Sequence, residues 1–280
     1  MAYKTILVHV DGSAQQESRM RACAPLAAAD DAHLVGGAAT GFSWLDLALL
    51  SGSMAAPVSP AGFEALRATA ASHLDLFREQ AARLGVASSE ARLIEDVPTY
   101  ALLLQARYAD LVVLSQDQDD APDQPARVRR LPEHLALHGA RPVLVVPASY
   151  DGAPIPGTVV AGWDGSVQAM RALNAALPLL TRADSVKLAL VDPDRLTELH
   201  GDEPGADMAL WLARHGVKVE VVVERGAVTA GRTLVRLAQD VGAGLMVSGA
   251  YGHSRYREWV LGGATRELLE RAPVPLLIAH

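Results

Sequence analysis

Four glycines, Gly249, Gly252, Gly262 and Gly263, bracket a basic stretch in GAYGHSRYREWVLGG that carries His253, Arg255 and Arg257. The segment follows an apolar run, Leu245 to Ser248, and precedes the apolar-periodic ATRELLERA. Between a strand and a helix, such glycines allow turns that side chains resist and let a ligand approach backbone amides closely. Gly262 and Gly263 open the helix, whose unpaired N–H groups and positive dipole end suit a phosphate. Histidine and arginine side chains add further donors. The chemistry is that of an anion cradle, although tight turns with solvated basic residues would give the same glycine spacing. No Gly-Lys-Ser/Thr is present for a Walker-type mechanism, and no close G-x-G-x-x-G follows strand one.

The elements that must position this loop repeat along the chain. KTILVHVDGS (Lys4 to Ser13) corresponds to GTVVAGWDGS (Gly157 to Ser166), each a β-rich run ending in Asp-Gly-Ser before an apolar-periodic helix. Pro25-Leu26 and Pro178-Leu179 stand at the same offset from Asp11 and Asp164. ADLVVLS (Ala109 to Ser115) matches AGLMVSG (Ala243 to Gly249), and RPVLVVP (Arg141 to Pro147) matches VPLLIAH (Val274 to His280). Ordered matches of this kind argue for a duplicated domain. The junction falls in the Pro- and Gly-rich ASYDGAPIPG, giving domains over 1–149 and 155–280. Within each half, continuous apolar runs alternate with helical patterns, at 166–182, 205–215, 228–241 and 261–271 in the second. Such runs fit strands covered on both faces. The spacing predicts an α/β protein of two tandem doubly wound domains, each a five-stranded parallel sheet.

In an open parallel sheet, ligands sit beyond the C-terminal strand ends where the strand order reverses. Asp164 ends strand one and Gly249 ends strand four of the second half, so both are expected at that point. The first half keeps Asp11 but has Ser115 and Gln118 for Gly249 and Gly252, and Arg129 and Arg130 for Gly262 and Gly263. Asp117, Asp119, Asp120 and Asp123 crowd the same loop and would repel phosphate. One cradle per chain is expected.

These residues resemble the universal stress proteins, specifically the tandem kind. The family pattern is Gly, two residues, Gly, nine residues, Gly, then Ser or Thr, and it is met by Gly249, Gly252 and Gly262. The resemblance extends to the strand-one aspartate, the β-α alternation and the Val-Pro-hydrophobic last strand. It implies a Rossmann-like fold of the adenine nucleotide alpha hydrolase kind, two domains paired as a pseudo-dimer through their last strands, and ATP with Mg²⁺ as ligand. By resemblance, Asp164 and Val191 would line the adenosine pocket, and Ser248, Gly249, Gly252, His253, Gly262, Gly263 and Ala264 would hold ribose and phosphates. Gly263 departs from the pattern where a hydroxyl is wanted, and Thr265 comes two residues later. A neutral hydrogen bond of that kind contributes about 0.5–1.5 kcal/mol. The expected function is a nucleotide-binding stress-response module whose output is a change of partner or oligomeric state. The alternatives are a slow ATP hydrolase working from Asp164 and Mg²⁺, and an interaction protein with an empty cradle.

Composition narrows the remaining classes. A net charge of −7 leaves no whole-protein basic field for nucleic acid or anionic lipid, and only three lysines (Lys4, Lys187, Lys218) stand among 25 basic residues. No apolar run approaches a membrane span, and the N-terminus reads as a strand rather than a signal peptide. A cytoplasmic protein is expected, with one cysteine, Cys23, as a buried helix residue. His134 and His138 have the spacing of zinc ligands with Glu133 beside them, but no third ligand is evident and a solvated helix face is favoured. Arg127, Arg129 and Arg130 are expected to pair with the acidic loop before them. Trp163 either stacks on a base or fills the strand end. The apolar insertion Thr40 to Gly62 suggests a lid or a partner-facing loop, and with it a homodimer.

Overall fold

The computed structural model describes residues 2–43, 59–117, 130–194, 203–226, 229–251 and 263–280. Most of the apolar insertion, and Gly252, His253 and Gly262 of the glycine segment, lie outside these residues. So do Gln118, Arg127 and Arg129.

Strands β1 (Thr5–His9), β2 (His33–Ala39), β3 (Ser89–Ile94) and β4 (Leu111–Ser115) pair in parallel in the order β3-β2-β1-β4. Helix α1 (Gln15–Asp30) follows β1, α2 (Pro60–Arg83) follows β2, α3 (Pro98–Ala106) follows β3 and α4 (Leu131–His138) follows β4. Ile6 to His9 and Leu111 to Leu114 are buried, as central strands covered on both faces require. Helix α2 starts cleanly because the Ser59 hydroxyl accepts the Gly62 amide at 3.1 Å and Pro60 preorganises the first turn. It then lies close over the sheet: a Cβ on Gly36 would fall 2.7 Å from the Phe77 ring. Glycine is what permits this approach.

The second half repeats the scheme with β6 (Thr158–Gly162), α5 (Val167–Leu180), β7 (Ser185–Val191), α6 (Ala206–Arg214), β8 (Val219–Glu224), α7 (Ala230–Asp240), β9 (Leu245–Gly249), α8 (Gly263–Arg271) and β10 (Leu276–Ala279). Its strand order is β10-β9-β6-β7-β8, all parallel. Strand β5 (Val143–Val146), the last of the first half, pairs antiparallel with β10, with Val143 opposite Ile278 and Val145 opposite Leu276. The chain therefore divides into two compact units, one built on Tyr3–Ser115 with α4 and the other on Pro142–His280. The α/β class and the mainly parallel, doubly wound sheets agree with the pattern of the sequence. Among the described residues, no helix is long and apolar enough to cross a membrane.

Candidate functional site

In the C-terminal unit the strand order reverses between β6 and β9, and at the C-terminal ends of strands at such a reversal open parallel sheets hold their ligands. The ladder sets Ala161 opposite Val247 and Gly162 opposite Ala189. Carried two residues on, this register brings Asp164 level with Val191 on β7, while Ser248 and Gly249 end β9 on the other side of β6. Four of the expected residues thus lie at the C-terminal ends of three adjacent strands, β7, β6 and β9. Asp164 accepts the Ser166 amide at 3.0 Å in a tight turn that passes through Gly165 at φ +76°, the left-handed region that favours glycine. The Ser166 hydroxyl then caps α5 by accepting the Ala169 amide at 3.1 Å.

Gly249 has a tighter reason to be glycine than ligand access. A Cβ there would lie 2.5 Å from the Ala169 nitrogen and 2.7 Å from the Gln168 carbonyl carbon. The first turn of α5 presses directly on the end of β9, and its backbone cannot give way. Beyond β9 the chain turns at Tyr251, whose φ is +60°. The Tyr251 amide donates to the Thr265 hydroxyl at 3.1 Å, which ties the first turn of α8 to the same strand end. Gly263 opens that helix and, among the described residues, has nothing within 4 Å of where a Cβ would stand. Ala264 follows, half-buried. Thr265 is 5% exposed and already holds the turn, so its hydroxyl does not replace the one missing at Gly263. What these strand ends offer is a carboxylate, the hydroxyl of Ser248, which donates to the Gly249 carbonyl at 3.0 Å, and the amides that begin α8.

The equivalent place in the N-terminal unit is built differently, and sequence reasoning missed how. Asp11 matches Asp164, yet its Oδ1 takes the Ser13 amide at 3.0 Å, the Ser13 hydroxyl at 2.8 Å and the Arg19 guanidinium. Arg19 is wholly buried and also donates from Nη1 to the Ser115 hydroxyl at 2.5 Å, joining the ends of β1 and β4. Gln16 accepts the amides of Asp11 and Gly12 through Oε1, at 3.2 and 2.9 Å, and donates to Gln80 at 3.0 Å. His73 covers the turn: a Cβ on Gly12 would meet its Cδ2 at 2.3 Å. Burial works to raise the Asp11 carboxyl, but Arg19 foremost, with His9 and Ser13, outweighs it and holds the group far below the usual carboxylate range. His9, 5% exposed, is lowered to about 4, mainly by burial, with Arg19 and His73 adding to the effect and Asp11 opposing it. A signal was present: Gln16, Arg19 and Cys23 share one helical stripe at i, i+3 and i+7, and two of the three are strongly polar.

Other candidates take ordinary places. Cys23 is buried and its thiol is pushed up by burial, which suits a packing role. His134 and His138 stack with ring centroids 4.6 Å apart. Arg130 pairs with Glu133 at 3.8 Å, and the acidic loop from Asp119 to Asp123 lies outside the described residues. Trp163, half-buried, donates its amide to Ala189.

Residues 157–280 match the model of the universal stress protein family. A universal stress protein of Synechocystis is 26% identical over 176 residues, 60% of this chain and 57% of that protein, so the match spans little more than half of the relative's length. Among solved structures, a universal stress protein from Archaeoglobus fulgidus has a TM-score of 0.72 at 14% identity, covering 98% of this chain and 97% of its own. A protein of unknown function from Pseudomonas aeruginosa PAO1 has a TM-score of 0.58 at 16% identity, covering 99% and 92%. At such identities the likeness is one of fold. The family match lies in the C-terminal unit, over residues 157–280.

Proposed function

We propose that the C-terminal unit binds an adenine nucleotide, ATP with Mg²⁺, in the crevice between β6 and β9, and that binding changes a partner contact or the oligomeric state. The supporting observation is that Asp164, Ser248, Gly249 and the start of α8 stand at the reversal of strand order, with Val191 at the end of the neighbouring strand β7. Asp164 and Val191 line the adenosine side. The amides of Gly263 and Ala264, with Gly252, His253 and Gly262, take the phosphates, and Mg²⁺ accompanies them to offset their charge. The donor set fits such a ligand, since a carboxylate suits ribose hydroxyls and helix-opening amides suit phosphate oxygens. Residues 155–280 are the nucleotide domain in this proposal, and 1–149 a degenerate copy.

Calorimetric titration of the full chain with ATP and with adenosine tests this. One ATP per chain is expected, bound more tightly than adenosine. Asp164→Ala should weaken both by roughly ten- to a hundredfold, the range for a lost hydrogen bond to a charged group. No heat with any adenine nucleotide would overturn the proposal and favour an interaction protein with an empty cradle. Phosphate release with saturating Mg²⁺ that disappears in Asp164→Asn would favour the slow hydrolase.

A further inference from the structure

We propose that Arg19 is an internal ligand: its guanidinium occupies the strand-reversal crevice of the N-terminal unit, so that removing the side chain leaves a slot that binds guanidinium cations. In the order β3-β2-β1-β4 the reversal lies between β1 and β4, and Arg19 bridges those two strand ends through Asp11 and Ser115. Counted from the two aspartates, Gln16, Arg19 and Cys23 correspond to Ala169, Ala172 and Ala176 on α5, all buried. His9 corresponds to Gly162, and Ser115 to Gly249. Where the C-terminal unit has glycine and alanine, with the helix pressed onto the strand, the N-terminal unit has four polar side chains. Arg19 meets the carboxylate, Gln16 takes the turn's amides and His73 closes over Gly12. Every group of the turn that a bound molecule would meet is answered from within the chain.

Stability alone does not account for this arrangement. Arg19 Nε is buried without a partner among the described residues, which is costly for a charged group. A hydrophobic residue of similar volume beside a neutral residue at position 11 would avoid that cost. A fork-shaped cation bridging a carboxylate and a hydroxyl is the geometry in which a ligand is held. The slot also has an entrance: the Asp11 side chain is 27% exposed while that of Arg19 is 1% exposed. A small cation could therefore reach Asp11 once the arginine is gone. None of this requires a nucleotide in the C-terminal unit, so the two proposals stand or fall separately.

The test is chemical rescue of Arg19→Ala in the full chain, read as the melting temperature with ethylguanidinium, ethylammonium or sodium at equal millimolar concentration. Without additive the variant should melt about 10 °C below the unaltered protein, as expected when one partner of a buried pair is removed. Ethylguanidinium should restore at least half of that difference, saturably; ethylammonium and sodium should not. The unaltered protein and Arg19→Met, whose side chain fills the slot, should not respond. If Arg19→Ala does not fold on expression, recovery of soluble protein on refolding with ethylguanidinium, against the same two controls, replaces the melting readout. A variant as stable as the original, rescue by ethylammonium to the same extent, or no rescue by ethylguanidinium in either format would overturn the proposal.

Discussion

His9 is buried beside the Asp11–Arg19 pair, and with its pKa lowered to about 4 it folds neutral. In the unfolded chain it titrates near pH 6.5, so between those values the unfolded state binds more protons and stability falls as pH falls. Asp11, held low in the fold, adds a further loss below about pH 4, where the unfolded carboxyl protonates. Acidification from pH 7 to 4.5 should therefore cost on the order of 3 kcal/mol, and His9→Asn should flatten that slope; urea unfolding at the two pH values checks it. Two glycines offer a contrast. Gly249→Ala forces a methyl into the backbone of Gln168 and Ala169, and should destabilise by about 3 kcal/mol in denaturant titration. Gly263→Ser meets no described residue and supplies the hydroxyl missing from the family pattern, so it should tighten ATP by roughly two- to tenfold in calorimetry while leaving adenosine unchanged. The aspartates, glycines and their spacing were legible because the motif is local. Gly249's contact with α5, and the cluster of buried Gln16, Arg19 and His9 with half-buried His73, were not. They depend on which face of a helix meets which strand end, and a polar residue on an apolar stripe reads as noise until its partner from another strand is known.

At the scale of elements, periodicity carried nearly everything. The predicted helices 166–182 and 228–241 correspond to Val167–Leu180 and Ala230–Asp240, shortened where Ser166 and Thr229 cap rather than join them. Apolar runs announced the strands of the second half and β1, β4 and β5 of the first, whereas β3, with Glu90 and Arg92 on a half-exposed strand, carries no such run. The partner of each strand was less accessible, since apolar runs carry no register. The β5–β10 ladder came instead from the family's habit of pairing last strands, and the structure contains it. It also gives a prediction. Residues 142–280 retain β5 and should form a soluble unit, whereas residues 155–280 leave the β10 edge bare and should self-associate. Light scattering of the two fragments decides the matter.

For the molecule as a whole, the proposed function expects a single ligand per chain, as already posed for calorimetry. The attraction is partly electrostatic, so ATP affinity should fall severalfold between about 50 and 500 mM salt while adenosine affinity barely changes. A homodimer is the proposed assembly, motivated by the apolar segment Thr40 to Gly62; a strict monomer in light scattering at every concentration would remove it.

The antiparallel pairing of Val143 with Ile278 carries one more consequence. It seats the first and last strands of the C-terminal unit side by side and running opposite ways, so Pro142 and Ala279 stand about one strand spacing apart, roughly 5 Å. A chain whose ends meet in this way can be joined there and opened elsewhere. A few glycines linking Ala279 to Pro142, with new ends cut between β8 and α7, would give a circularly permuted unit. In it the strand-reversal crevice would be untouched, and the β5–β10 ladder would become a local hairpin.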